Sequence, residues 1–249
     1  LTAAVRRGSA AGILAAAGLF LGGCERGPAV RKAADRPAAQ REAMDRLPGP
    51  GFEPPPPASY QLASIQRAAD GNVLDADGTR HRLSSYLGDR LVLLSFIYTR
   101  CTDGQGCPFA TAVFHLIERE IASRPGLEGR VRLVTLSFDP SHDTPEVMLR
   151  YAGDGYLDQP WHERRWAFLT TGSSRDLQPI LDGYGQSVAP EIDENGDLTD
   201  RYSHVLKVFL IDRERRVRNI YSTGFLHPAV VVNDLETLRM EETRAGGAS

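Results

Sequence analysis

Leu91-Val92-Leu93-Leu94-Ser95-Phe96-Ile97-Tyr98 is an almost continuous apolar run of strand length, the pattern of a β-strand covered on both faces. A strand can be covered on both faces when helices pack on either side of its sheet, so the run argues for an α/β layering. Directly behind it comes Thr99-Arg100-Cys101-Thr102-Asp103-Gly104-Gln105-Gly106-Cys107-Pro108, a loop bearing two cysteines. Pro108 suits the first turn of a helix, and Phe109, Val113, Leu116, Ile117 and Ile121 then share one face at helical spacing.

The elements further out continue the alternation. Residues 131–138 read as a second buried strand. Asp143-Thr144-Pro145-Glu146 marks a helix start, with Asp143 or Thr144 as the cap. Residues 166–170 read as a short strand and 173–184 as a helix, and a last helix starts near Pro228. Residues 205–211 and 217–222 flank the turn Asp212-Arg213-Glu214-Arg215 and read as a hairpin. This order predicts a thioredoxin-like α/β fold over residues 60–240, a central mixed sheet flanked by helices, followed by a tail at 241–249.

The first 59 residues are different. Arg6 and Arg7 precede a twelve-residue apolar run, Ala10 to Leu21, too short for a bilayer span but of the length found in export signals. Leu21-Gly22-Gly23-Cys24 resembles the lipobox of bacterial lipoproteins, which makes residues 1–23 a signal peptide and Cys24 the lipidated residue. Residues 24–59 read as a tether. Eight of the sixteen prolines fall there, four of them in Pro54-Pro55-Pro56-Pro57. As a flexible coil such a segment reaches roughly 30 Å. The expected location is the periplasmic side of a bacterial cell envelope, lipid-anchored to a membrane. With a net charge of −3, the chain has no electrostatic footing for nucleic acid.

Cys101 and Cys107 sit between a buried strand and an amphipathic helix. A helix start favours a thiolate at Cys107, and Arg100 places a positive charge beside Cys101, so both cysteines are expected to ionise. Thiolates serve disulfide exchange and also ligate Cu(I). A structural disulfide is the plainer alternative, although a bridge across so short a loop removes little chain entropy.

Residues 60–238 resemble the Sco/SenC proteins, copper-binding assembly factors for cytochrome oxidase. The resemblance lies in Phe96-Ile97-Tyr98-Thr99-Arg100-Cys101, Cys107-Pro108, Ser137-Phe138-Asp139-Pro140-Ser141-His142-Asp143-Thr144-Pro145, Trp166-Ala167-Phe168-Leu169-Thr170, and Tyr202-Ser203-His204 before Phe209-Leu210-Ile211-Asp212. It implies Cys101, Cys107 and His204 as ligands for copper, Cu(I) or Cu(II). It also implies a respiratory oxidase subunit or another copper protein as partner, served by a metallochaperone rather than an enzyme. Two departures stand out: five residues separate the cysteines where the family usually has three, and Ser203 stands where it often has Asp. Without the resemblance, His204 reads as a packed or surface residue. His115 is expected on the solvated side of its helix, and Asp139 and Asp143 in turn and capping roles. The competing reading is a thiol-disulfide oxidoreductase acting on cysteines of an exported target, with Cys101 and Cys107 as its redox pair. A peroxiredoxin-like peroxidase fits less well, because no Pro-x-x-x-Thr-x-x-Cys precedes either cysteine.

A Cys24→Ser variant is expected to lose acylation, read by mass spectrometry of the mature chain. A wild-type chain unacylated at Cys24, or beginning elsewhere, counts against the anchor.

Overall fold

The computed structural model describes residues 50–246, so the proposed signal, Cys24 and most of the tether lie outside the described residues. Among the described residues, ten strands and four α-helices follow in the order β1 (Gln66–Arg67), β2 (Asn72–Asp75), β3 (Arg80–Arg82), β4 (Leu91–Ile97), α1 (Cys107–Ala122), β5 (Val131–Ser137), α2 (Pro145–Ala152), β6 (Trp166–Thr170), α3 (Ser174–Tyr184), β7 (Val188–Ile192), β8 (Leu198–His204), β9 (Val208–Ile211), β10 (Arg216–Tyr221) and α4 (Pro228–Gly246). Eight strands form one sheet in the order β1-β10-β9-β4-β5-β6-β2-β3, and β7 with β8 forms a separate hairpin. β4, β5 and β6 run parallel, while β9 lies antiparallel against the other edge of β4. The sheet is mixed and the fold thioredoxin-like.

Every residue of β4, β5 and β6 is buried. The pleat sorts their side chains to alternate faces. Leu91, Leu93, Val131, Leu133 and Phe168 pack with Phe109, Val113 and Ile117 of α1 and Val231 and Leu235 of α4. Val92, Leu94, Phe96, Val134 and Leu136 pack on the opposite face with Leu177, Ile180 and Leu181 of α3. The two-sided burial expected from the Leu91–Tyr98 run is thus met by helices on both faces.

Thr144, not Asp143, caps α2: its hydroxyl accepts from the Val147 N–H, which frees the buried Asp143 for other work. His115 departs from expectation. It is buried, with its ring 4.8 Å from that of Trp166. The helix side expected to meet solvent is covered there by Trp166, and one turn earlier Thr111 shares a hydrogen bond with Tyr151 of α2.

The end of the proline-rich stretch is fastened to α4. Asn233 Nδ2 donates to the Pro55 carbonyl at 3.0 Å, the Ala58 N–H donates to Thr237 Oγ1 at 2.9 Å, and the Tyr60 hydroxyl donates to Asp234 at 2.6 Å. No helix of the described residues is long and apolar enough to cross a membrane.

Leu94 is fully buried in the middle strand. Leu94→Ala is expected to cost about 2–5 kcal/mol through lost burial and an unfilled cavity. A urea midpoint unchanged from wild type contradicts that packing.

Candidate metal centre

The site forms where β4 runs out of the sheet. Two carboxylates from the β5–α2 connection hold the residues just beyond the strand. Asp143 accepts from the Thr99 N–H at 3.0 Å and from the Thr99 hydroxyl, and also from Ser137 Oγ. Asp139 accepts from Arg100 Nη2 at 2.9 Å. The chain therefore enters the cysteine loop from a fixed direction.

Between the cysteines the loop folds back on an Asx turn. Asp103 Oδ1 accepts from the Gln105 N–H at 2.9 Å, and the Gly106 N–H donates to the Asp103 carbonyl at 3.0 Å. A β-carbon at Gly106 would come within 3.3 Å of both Cys101 Sγ and Asp103 Oδ2, so the absent side chain leaves room for the sulfur. Gly104 faces open space. Cys107 is the first residue of α1 and only 1% exposed, whereas Cys101 is half-buried.

His204 ends β8 and comes from far along the chain. Its Nε2 lies 3.7 Å from Cys107 Sγ, 97 residues away in sequence. Its ring packs edge-on against Phe138, with centroids 4.8 Å apart. Its Nδ1 is buried and has no hydrogen-bond partner among the described residues. Ser203 supplies no substitute for the acidic neighbour often found there. A cleft of about 570 Å³, lined in part by Tyr98, Cys101, Asp103, Tyr202, His204 and Thr223, opens over the group.

The two sulfurs differ in charge. Cys101 is held down at about 4, first by a hydrogen bond from Cys107 and then by one from His204, against the opposing effect of burial. Cys107 is pushed well above the ordinary thiol range, chiefly by burial and then by its bond to Cys101. One proton thus stays on Cys107 and points at the Cys101 thiolate. The expectation that both cysteines ionise is corrected: the helix N-terminus at Cys107 contributes about 0.3–1 kcal/mol, while burying an ionised group costs several. Arg100 does not act as the thiolate's counter-charge as expected. Its guanidinium is taken by Asp139 and by Asp200, each at 2.9 Å. Burial, then the charge on Cys101, pushes the Tyr98 phenol up to about 12.

Cys101, Cys107 and His204 therefore stand together. Two soft sulfurs and an imidazole are a donor set suited to copper in either common oxidation state. Among the described residues, no three His, Cys, Asp or Glu side chains already form a group that could hold a metal ion, so ligation requires the three donors to draw closer together. Asp139, Tyr202 and Phe138 belong to the surroundings of the site, although sequence reasoning gave them at most a turn or a motif role. The hairpin β7–β8 was also missed, even though Asn195-Gly196 at its turn is a strong hairpin signal.

A family model described as SCO1/SenC matches residues 68–239. None of the curated proteins compared with the chain matches it. Among solved structures, copper-bound ScoI of Arabidopsis thaliana is similar at 19% identity and a TM-score of 0.55, covering 70% of this chain and 98% of that one. BsSco, described as a member of the Sco family of cytochrome c oxidase assembly proteins with a disulfide switch, is similar at 21% identity and a TM-score of 0.52, covering 72% and 97%. A SCO1/SenC family lipoprotein of Bacillus anthracis is similar at 21% identity and a TM-score of 0.53, covering 75% and 99%. At these identities the structures speak for the fold.

The split between the thiols sets a pH profile. Because the Cys101 value lies below the ordinary one, its thiolate persists as pH falls until about 4. Iodoacetamide labelling of Cys101 in reduced protein is expected to stay level from about pH 8 to about pH 5, where an ordinary thiol loses roughly tenfold per unit. Peptide mapping that finds Cys107 labelled first, or a Cys101 rate climbing steeply across that window, contradicts the assignment.

Proposed function

The chain belongs to the SCO1/SenC family, and from that premise we propose that it is a membrane-tethered copper-binding protein that delivers copper to, or matures, the copper centre of a respiratory oxidase. The observation that carries the reading is the approach of His204 Nε2 to Cys107 Sγ at 3.7 Å beside the Cys101 thiolate. Sulfur ligands favour Cu(I), and an added nitrogen suits Cu(II), so one site accommodates both. The copper held by the Arabidopsis protein, the assembly role given for BsSco and the lipoprotein nature of the Bacillus anthracis protein support copper, oxidase and anchor respectively. Copper here is cargo. Exchange with a disulfide of another protein, which takes up the two electrons, would release it, because the sulfurs that ligate metal become bonded to each other.

The difference between the two thiols favours a second reading, a thiol-disulfide oxidoreductase. The accessible Cys101 thiolate attacks one sulfur of a target disulfide, forming a mixed disulfide and expelling the other target sulfur as a thiolate. Cys107 then loses its proton to that departing sulfur or to water and attacks Cys101 Sγ, so the target leaves as a dithiol and the protein as a disulfide. Two electrons pass to the target in the exchange.

His204 separates the readings. In a protein lacking Cys24, His204→Ala is expected to weaken Cu(II) binding and its thiolate absorption band, with a smaller effect on Cu(I), while the rate of reducing a model disulfide changes little. Unchanged Cu(II) affinity and band remove His204 from the site and leave the oxidoreductase as the better account.

A further inference from the structure

The hairpin that carries His204 has no ladder to the eight-stranded sheet. Its placement therefore depends on side chains. Three residues on one face of β8, at the two-residue spacing of a strand, make the contacts. Asp200 accepts from Arg100 Nη1 at 2.9 Å. The Tyr202 hydroxyl donates to Asp139 Oδ1 at 3.2 Å, and its ring lies 5.3 Å from that of Tyr98. His204 packs on Phe138 and meets Cys107.

The two oxygens of one carboxylate thus hold both arms of the site. Oδ2 of Asp139 binds Arg100, the residue before Cys101, and Oδ1 binds Tyr202, two residues before His204. Asp139 is itself only 1% exposed and anchored, with its N–H on Ser137 Oγ at 3.0 Å and Ser141 Oγ donating to Oδ1 at 2.6 Å. A turn role needs only Ser137 and Ser141. The bonds to Arg100 and Tyr202 reach 39 and 63 residues along the chain and serve no local turn. At the base of the hairpin, Gln186 donates to the Val205 carbonyl and Lys207 to the Gly185 carbonyl, so losing the Asp139 contacts frees the inner face without detaching the hairpin.

We infer that Asp139 is a positioning residue that sets the His204 imidazole against the two cysteines, working through Tyr202 on one side and Arg100 on the other. The inference rests on the proposed copper site for its metal readouts only, since the contacts that link Asp139 to Arg100 and Tyr202 are made between protein groups alone.

The test uses Asp139→Asn, which keeps the shape but removes the charge, and Tyr202→Phe, which removes one hydroxyl from a ring that stays packed. In metal-free protein, hydrogen exchange in residues 198–205 is expected to quicken by about fivefold, the value of one net hydrogen bond, with β4 and β5 unchanged. The His204 imidazole ¹⁵N signals are expected to move or broaden. On copper titration, Cu(II) affinity is expected to fall roughly tenfold, as for the loss of an orienting partner, and Cu(I) affinity much less. Should Asp139→Asn fail to fold, Tyr202→Phe decides. Unchanged His204 signals and hairpin exchange in the folded variants overturn the inference, as does an equal loss of both copper affinities. Wild type that binds no copper overturns the copper reading instead, and the metal-free measurements still judge Asp139.

Discussion

Burial of β4 on both faces is the constraint from which the rest of the molecule follows. A strand with no exposed residue presents no side chain to a ligand along its length, and any polar group on it must find a partner inside the protein. Function is pushed to the point where the strand leaves the sheet. There the covering helices end, and the carboxyl ends of parallel strands form a natural crevice. Cys101 lies just past β4, and Asp139 and Asp143 lie just past β5. Parallel pairing of these two strands is what brings the carboxylates beside the residues that lead into the cysteine loop.

What could be read in the sequence followed the same logic. β4, β6 and the apolar face of α1 were evident because their burial writes a dense apolar signature, and β6 spans the expected residues 166–170. The hairpin β7–β8 has no such signature. Only Val188 and Tyr202 pack against a core, each partly buried, while Pro190 sits within one strand and Ile192 and Leu198 stay exposed, so its main-chain pairing left no dense hydrophobic pattern. Cys101 and Cys107 stood out by their place between a buried strand and an amphipathic helix, whereas His204 joined them as an expected ligand only through a resemblance, since 97 residues of separation hide any spacing. The protonation of the cysteines was misread for a different reason. Sequence shows that Cys107 begins a helix but not how deeply that helix start is buried, and depth outweighs the dipole. His115 illustrates the same blindness, because a helical period cannot reveal a second layer of cover.

Cys101 and Cys107 divide tasks that neither residue could perform alone. The half-buried thiolate is ready to meet a metal or a disulfide, and the buried thiol keeps a proton in reserve and donates a hydrogen bond meanwhile. The five-residue loop makes this division workable. Its Asx turn and the bare Gly106 let Cys101 fold over the helix start while Cys107 stays beneath it.

The seam between residues 55–60 and α4 has a mechanical meaning. A pull on the chain ahead of residue 50 meets the bonds at Asn233, Thr237 and Asp234 before it can reach β1 and the sheet edge. α4 packs on the sheet through Val231 and Leu235, so the load spreads into the core instead of arriving at a loop. The cysteines and the imidazole are thereby insulated from tugging at the front of the chain, much as a strain relief protects the contacts of a plug.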